Sequence, residues 1–245
     1  MKNLAGADSN KMNAVSLSVR VDHADALEWL AARDGADATI VVFDPPYAVG
    51  TPVRGREDGA AGSVFAPLSF MSKALALTAK TLRPGGVCVM FADWRRMPDL
   101  LYIASTVGLR ASTCIAWTRK RPGTGGLFRS AWDPIQLCSR GVPDAVDRAA
   151  IRNVIETVED YPVVEADYPT KRSHPYGKPP EVFRHILPRV CRPGDLVLDP
   201  FAGSGVSGRV SAELGLRWEG CDIDPAFVCS YSVADPQLSN DGSSR

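Results

Sequence analysis

"ATIVVFDPPYAVG", residues 38–50, joins a continuous apolar run to an aspartate, two prolines and a tyrosine. A short apolar run bounded by turn residues is typical of a strand that is buried on both faces of a parallel sheet. Pro45 and Pro46 remove two consecutive backbone N–H donors and fix the φ angle at both positions. The stretch therefore predicts a buried strand that ends at Asp44, followed by a turn that carries Tyr47.

The composition is that of an ordinary globular protein. The chain has 245 residues, of which 45% are hydrophobic and 23% charged, and its formal net charge is zero. A net charge of zero neither supports nor excludes a nucleic-acid partner, because local patches of charge decide such binding. The chain contains no run of about 18 apolar residues and no apolar leader, so we expect a soluble, cytoplasmic protein.

The cysteines argue against a metal or disulfide framework. Most of them lie in apolar stretches, as reduced thiols of a protein core do, and none forms a C-x-x-C pair. We therefore expect no zinc or other metal site and no disulfide. The six positions are Cys88, Cys114, Cys138, Cys191, Cys221 and Cys229.

Strands and helices alternate along most of the chain. Apolar runs predict strands over 15–21, 39–43, 87–91, 112–118, 134–139, 196–199 and 217–224. Helical periodicity with proline starts and glycine stops predicts helices over 25–35, 67–86, 98–109, 180–191 and 203–216. This alternation predicts an α/β fold with a mostly parallel sheet covered on both faces.

A second buried strand leads into a glycine-rich turn, in "LVLDPFAGSGVSGRVSAEL" (196–214). Gly203 and Gly205 would let a ligand approach the backbone, and the following helix offers unpaired N–H groups. About twenty residues further on, Asp222 stands at the end of the next strand, where an acidic residue suits ribose hydroxyls. The pattern F-x-G-S-G is not G-x-G-x-x-G, so it favours a nucleoside-based cofactor over a dinucleotide. A tight turn without a ligand is the alternative.

Taken together, these motifs resemble the amino-methyltransferase family that modifies exocyclic amines of DNA bases. "DPPY" (44–47) precedes "DPFAGSG" (199–205), which is the order of the circularly permuted beta class. Further family segments are similar to "RVDHADALEWL" (20–30), "IAWTRKRPGTGGLFRSAWDPIQLCSRG" (115–141) and "SHPYGKPPEVFRHIL" (173–187). The resemblance implies a Rossmann-like S-adenosylmethionine-dependent methyltransferase fold, whose mostly parallel sheet carries an antiparallel edge hairpin.

The resemblance also implies a domain organisation. We expect one methyltransferase domain over residues 1–245, with a catalytic half over about 15–141 and a cofactor half over about 173–230. A short recognition segment would occupy about 142–172, where larger relatives insert a recognition domain, and the tail 235–245 would be disordered. Recognition would then come from short loops, from the second subunit of a homodimer, or be relaxed.

Catalysis falls, by the same resemblance, to Asp44, Pro45, Pro46 and Tyr47. The Asp44 carboxylate and the Pro45 carbonyl would accept the two N–H groups of an adenine N6 amine, which frees the nitrogen lone pair to attack a methyl sulfonium. Tyr47 would stack on the base, which must leave the duplex to reach the pocket. A Pro-Pro turn capped by Asp44, with Tyr47 packed at its margin, is the structural alternative.

S-adenosyl-L-methionine is the implied cofactor. Asp222 would take the ribose hydroxyls and Asp25 the adenine amine, although Asp25 equally suits the N-cap of a helix. Lys178 would lie beside the methionine moiety, or be a solvated basic residue before a helix. The implied cofactor residues are Asp25, Lys178, Pro179, Asp199, Phe201, Gly203, Ser204, Gly205 and Asp222.

A double-stranded DNA partner has support from basic residues on glycine-rich loops, which suit phosphates. A merely solvated loop is the alternative. The pair Trp132–Asp133 departs from the His-Glu of the family pattern, and its role is open. The residues predicted to contact DNA are Arg54, Arg119, Lys120, Arg121, Arg129, Lys171 and Arg172.

The resulting prediction is a restriction-modification-type DNA methyltransferase that acts on adenine N6. The first residue of "DPPY" favours adenine, since cytosine-N4 relatives more often begin with serine. One alternative is an N4-cytosine DNA methyltransferase, and another is methylation of RNA or of a protein amide, where the motif usually begins with asparagine. A catalytically idle DNA-binding homologue is the alternative from another class, and the intact "DPPY" and "FAGSG" argue against it. The biological role, whether restriction protection, a phage function or regulation, stays open.

Overall fold

The structure is a computed structural model that describes residues 18–45, 67–119, 127–147, 149, 151–157 and 177–228. Among the helices of these ranges, none has both the length and the apolarity that crossing a bilayer demands. In chain order the elements are β1 (Val19–His23), α1 (Ala26–Ala31), β2 (Ala38–Phe43), α2 (Leu68–Thr81), β3 (Leu82–Phe91), α3 (Met97–Thr106), β4 (Leu109–Arg119), β5 (Trp132–Arg140), β6 (Val154–Thr157), α4 (Pro180–Val190), β7 (Leu196–Asp199), α5 (Val206–Glu213) and β8 (Arg217–Asp222).

One sheet contains all of these strands, in the order β1-β8-β7-β2-β3-β5-β4-β6. The strands from β1 to β3 pair in parallel, whereas β5 runs antiparallel to both of its neighbours. The predicted α/β fold with a mostly parallel sheet and an antiparallel hairpin is thus confirmed. The parallel pairing brings the last residues of β2, β7 and β8 side by side, at what we call the carboxyl end of the sheet.

Helices cover both faces of the sheet, which explains why β2 is buried along its whole length. Val41 and Phe43 point into a core that is shared with residues of α1, α2 and α3. Ile40 and Val42 point into the opposite core, which is shared with residues of α4 and α5. Because side chains alternate along a strand, a strand packed on both faces needs an unbroken apolar run.

The helix α2 ends earlier than its sequence pattern predicts. The pattern predicted a helix through the Pro-Gly-Gly at 84–86, but α2 ends at Thr81 and β3 begins at Leu82. The register between β2 and β3 shifts at this point, which marks a bulge. A Cβ on Gly86 would lie 2.9 Å from the carbonyl oxygen of Ala38, so the close approach of the two strands requires glycine there.

A strand that the sequence pattern did not predict, β6, lies at the edge of the sheet beyond the hairpin. It pairs in parallel with the end of β4, from Ala116 to Arg119. The indole N–H of Trp117 donates to Oγ1 of Thr157 at 3.0 Å, in a buried contact. Part of the predicted recognition segment therefore belongs to the sheet.

The same segment is also anchored at the opposite end of the sheet. Arg83 and Arg192 both form ion pairs with Asp144, at 3.2 and 3.4 Å. The backbone N–H of Val146 donates to the carbonyl of Arg189 at 2.8 Å. These contacts tie the chain to β3 and α4 before it turns back toward β6.

The buried thiols behave as core residues. Cys88, Cys138, Cys191 and Cys221 are buried, whereas Cys114 is exposed, and all five are free cysteines. Burial raises the pKa of Cys138 to about 11 and the pKa of Cys191 to about 12. The described thiols therefore stay protonated at neutral pH.

We expect Thr157→Val to lower the free energy of unfolding by about 1–3 kcal/mol, because it keeps the side-chain shape but leaves the buried Trp117 indole without its acceptor. Urea unfolding gives the measurement. Thr106→Val is the control, since Thr106 is an exposed residue whose hydroxyl donates to the carbonyl of Ile103 in its own helix. Equal, small losses in both variants would show that β6 is not held by this contact.

Candidate active site

Three aspartates stand at the ends of adjacent strands. Asp44 follows β2, Asp199 ends β7 and Asp222 ends β8, and these strands are neighbours in the order β8-β7-β2. The charges of Asp44 and Asp222 both raise the pKa of Asp199, which shows how close the three carboxylates are. In open α/β sheets, ligands bind outside the carboxyl ends of such strands.

Lys178 supplies a positive charge to this cluster. Its ammonium donates to Oδ2 of Asp44 at 2.5 Å, and the two side chains are only 8% and 20% exposed. The same ammonium lies 5.2 Å from the centre of the Phe91 ring, a cation–π distance. A predicted cofactor residue thus contacts a predicted catalytic residue, and Lys178 is buried rather than solvated.

Asp199 organises the turn after β7 from within. Its Oδ1 accepts the N–H of Phe201 at 3.1 Å, and its Oδ2 accepts the hydroxyl of Ser207. Ser207 in turn accepts the indole N–H of Trp218 at 3.1 Å. Burial, partly offset by these hydrogen bonds and reinforced by Asp44, raises the pKa of Asp199 to about 7.

Asp222 ties the ends of β7 and β8 together. Its Oδ2 accepts the N–H of Gly203 at 2.8 Å, and its Oδ1 accepts the N–H of Asp224 at 2.8 Å. Gly203 and Gly205 have φ angles of +50° and +69°, which side chains rarely adopt. The predicted motif therefore forms a glycine turn whose backbone is fastened to the predicted ribose-binding aspartate.

The start of α5 lies within this turn. The helix begins at Val206 rather than at 203 as the pattern predicted, with Gly205 as its N-cap. No side chain caps it and its first turn holds no acidic residue, so its positive end is open. Ser204 lies in the turn, and the Phe201 ring packs edge-on against Phe43 with centroids 5.4 Å apart.

Two further predicted cofactor residues lie at helix starts. Oδ1 of Asp25 accepts the N–H groups of Leu27 and Glu28 at 2.8 and 3.2 Å, so Asp25 is the N-cap of α1. Pro179 is buried and forms the N-cap position of α4, directly after Lys178. The contact of Asp25 with an adenine amine stays a prediction.

A second charged group at the carboxyl end of the sheet was not predicted. Arg119, at the end of β4, pairs with Asp133 of β5 at 3.3 Å. Burial raises the pKa of Asp133, the charges of Arg119 and Lys178 oppose that rise, and the charge of Asp93 adds to it. Arg119 was predicted to contact phosphate, which stays a prediction, and it has an internal partner in Asp133. Only the departure from the family pattern at Asp133 had drawn attention to this position.

Of the remaining predicted residues, the structure describes Arg129 and Pro45. Arg129 is described and exposed, as a DNA contact requires, and Pro45 is buried beside Asp44. The predictions that lie outside the described residues concern Pro46, Tyr47, Arg54, Lys120, Arg121, Lys171 and Arg172.

We expect Asp199→Asn to gain stability relative to the wild type as pH rises from about 4 to about 7, by about 2–4 kcal/mol. A raised pKa in the folded state contributes stability that is complete below the unfolded value, 3.8, and is lost as pH rises through about 7. The asparagine cannot ionise and escapes this loss. Urea unfolding of both proteins between these pH values gives the measurement.

Asp195→Asn, at the amino end of the same strand, serves as the control for that experiment. A difference between wild type and Asp199→Asn that did not change with pH would contradict the raised pKa.

Comparisons with known proteins show which proteins this chain resembles in sequence and in fold. DNA adenine methyltransferase YhdJ of Escherichia coli K12 is 23% identical over 235 residues, which cover 84% of this chain and 79% of that protein. Among solved structures, the M1.HpyAVI–SAM complex has a TM-score of 0.64 at 15% identity and covers 89% of this chain and 98% of its own. PvuII DNA methyltransferase, which is cytosine-N4-specific, has a TM-score of 0.66 at 16% identity, covering 89% and 87%.

The structural likenesses confirm the predicted fold. The family described as DNA methylase matches residues 38–232, a range that starts with β2 and extends past β8. It includes both the "DPPY" and the "DPFAGSG" motifs, and it confirms the resemblance found in the sequence. The chain belongs to the DNA methylase family.

Proposed function

We propose that this DNA methylase transfers the methyl group of S-adenosyl-L-methionine to the N6 amine of an adenine flipped out of double-stranded DNA. The observation that carries the proposal is the Asp44–Lys178 pair, held beside the glycine turn at the carboxyl end of the sheet. Support for adenine comes from the relative YhdJ, a DNA adenine methyltransferase, and from the aspartate that begins "DPPY".

Asp44 would activate the amine. Adenine N6 is a poor nucleophile because its lone pair is delocalised into the ring, and two acceptors for its N–H groups free that pair. Within the described residues, Oδ1 of Asp44 makes no hydrogen bond, whereas Oδ2 is held by Lys178. Oδ1 and the Pro45 carbonyl are the acceptors we assign to the amine, and Lys178 keeps the carboxylate in place.

The turn after β7 would hold the cofactor. S-adenosyl-L-methionine supplies an electrophilic methyl group on a positively charged sulfur. Gly203 and Gly205 keep side chains away from the turn, and the uncapped start of α5 suits a carboxylate. Asp222 would take ribose hydroxyls, and a cationic sulfur suits a site with several carboxylates. The chemistry of these residues suits the cofactor.

The target base would have to leave the DNA duplex to reach Asp44. A base in a duplex cannot present its amine to this pocket without leaving the stack. Tyr47, three residues after Asp44, is assigned to stack on the extracted base. Sequence recognition falls to loops around the site, or to a second subunit, because Asp144 is held by two arginines and 154–157 form an edge strand of the sheet.

Cytosine N4 is the second candidate target. The solved structure of the cytosine-N4-specific PvuII enzyme has a similar fold, and the chemistry at the two amines is nearly the same. Both amines present two N–H groups beside a ring nitrogen, so the Asp44–Pro45 acceptor pair suits either. The target must therefore be read from the product.

One experiment tests both candidates. The protein is incubated with isotope-labelled S-adenosyl-L-methionine and unmethylated genomic DNA, and the digested nucleosides are identified by mass spectrometry. We expect N6-methyladenine. N4-methylcytosine would support the second candidate, and the absence of any labelled nucleoside would overturn both. Sequencing the modified positions in the same DNA also gives the target site.

We expect Asp44→Ala to slow methyl transfer by at least about 100-fold, because it removes one of the two preorganised acceptors in a site shielded from water. Cofactor affinity, measured by calorimetry, should change little. Asp34→Ala is the control, since Asp34 is exposed and has only a distant ion pair with Lys80 at 3.8 Å. Turnover close to that of the wild type would remove Asp44 from the mechanism.

We expect Asp222→Ala to weaken S-adenosyl-L-methionine binding by about 1–3 kcal/mol, since it strands polar partners in the turn. Calorimetric titration gives the measurement. The matched control is Asp224→Ala, two residues away, whose side chain caps only the local N–H of Ala226. Equal affinities in the two variants would move the cofactor away from β8.

A further inference from the structure

Three large aromatic side chains are exposed at the carboxyl end of the sheet. Trp94 follows β3 and is 61% exposed, Phe128 lies before β5 and is 87% exposed, and Trp132 begins β5 and is 45% exposed. Single exposed apolar residues are ordinary on a protein surface, but a group of them beside a candidate active site indicates an interaction surface. We call these three residues the exposed aromatic group.

The two tryptophans lie on adjacent connections. β3 and β5 are paired neighbours in the sheet, and Trp94 comes directly after Asp93 at the end of β3, while Trp132 comes directly before Asp133. Phe91 of β3 pairs with Ile135 of β5, and Trp94 and Trp132 each stand three residues from that pair, toward the carboxyl end of the sheet. The two tryptophans therefore stand on neighbouring connections at the same end of the sheet.

This surface borders the candidate active site. β3 lies between β2, which leads to Asp44, and β5, which carries Trp132. Lys178, the partner of Asp44, is near enough to Asp133 to lower its pKa. Trp94 thus follows β3, the strand next to β2, and Trp132 begins β5, the strand beyond β3, at the end of the sheet where β2 leads to Asp44.

The charges on this surface do not oppose a nucleic acid. Asp93 is paired with Arg95 at 2.8 Å, and Asp133 is paired with Arg119 at 3.3 Å. Arg129, next to Phe128, is exposed. Both acidic residues are thus neutralised by arginines, and phosphates can approach the aromatic rings.

We infer that Trp94, Phe128 and Trp132 form a stacking surface that holds the DNA duplex open while the target base occupies the site. The inference rests on the proposed function, since it takes duplex DNA as the substrate. A base that leaves the stack leaves behind an unpaired partner and a gap. Aromatic side chains replace lost stacking with any base, because every base has a ring face, and apolar side chains of this size separate base steps.

The test compares two duplexes that carry the target site found above. In one, the target base is paired; in the other, it lies opposite an abasic position and is already unstacked. We expect Trp94→Ala, Phe128→Ala and Trp132→Ala each to slow methyl transfer on the paired duplex by about 10-fold or more. On the abasic duplex each variant should come within about 3-fold of the wild type, because little base opening is needed there.

Tyr102→Ala is the matched control. Tyr102 is 72% exposed on α3, between β3 and β4 in the chain, and none of the contacts above involves it. It should match the wild type on both duplexes. Unchanged S-adenosyl-L-methionine affinity and unchanged unfolding midpoints would show that a variant affects base opening and not folding. Phe128→Ala is the variant least able to disturb folding, because Phe128 lies outside any strand or helix.

Three results would overturn the inference while leaving the proposed function intact. The first is an equal loss on both duplexes, and the second is no loss on either. The third is a shift in sedimentation from dimer to monomer with no preference between the duplexes, which would make the surface a contact between subunits. No methyl transfer by the wild type on either duplex would overturn the proposed function, and this inference with it.

Discussion

The ion pair between Asp44 and Lys178 joins parts of the chain that are 134 residues apart. Asp44 follows β2 and Lys178 precedes α4, so the pair holds the catalytic motif against the half of the chain that carries the glycine turn. A nearly buried pair of charges gains little net stability, because desolvation costs about as much as the attraction returns. We interpret the pair as a means of positioning the carboxylate of Asp44 for its proposed role.

Carboxylates crowd this end of the sheet because three adjacent parallel strands all end in aspartate. The fold accommodates the crowding by giving each one a different set of partners. Asp44 has an ammonium, Asp222 has two backbone N–H groups, and Asp199 is buried with a hydroxyl and one N–H. The raised pKa of Asp199 shows that the arrangement costs stability at neutral pH. The negative charge of these carboxylates would attract a cationic cofactor.

The described part of the segment after β5 is held by contacts with the rest of the fold. Contacts of Asp144 and Val146 hold this segment at the end of the sheet opposite the candidate active site, and β6 adds an edge strand beyond β4. The proposed function requires that the duplex opens at the site, so that the target base can reach the pocket. Exposed aromatic rings beside Asp44 suit that requirement, because stacking is strong and independent of sequence.

Local signals in the sequence predicted most of the elements. Continuous apolar runs predicted β2 and β7, and proline and glycine marked the ends of most helices. The motifs placed Asp44 and Asp222 at strand ends, and a parallel sheet then brings them together whatever the rest of the fold. These predictions succeeded because each depends on a few neighbouring residues and on the geometry of one element.

Only the tertiary structure decided the rest, because those features depend on contacts between distant residues. Thr157 lies in a strand that pairs with β4, and its hydroxyl accepts the buried indole N–H of Trp117. The Pro-Gly-Gly at 84–86 belongs to β3, where the adjacent β2 passes close to the backbone of Gly86. Lys178 is a buried partner of Asp44 because α4 packs over β2 and β3, which no local pattern encodes. The sequence by itself determined which residues we assign to the chemistry, and the packing of the two halves decided which of them touch.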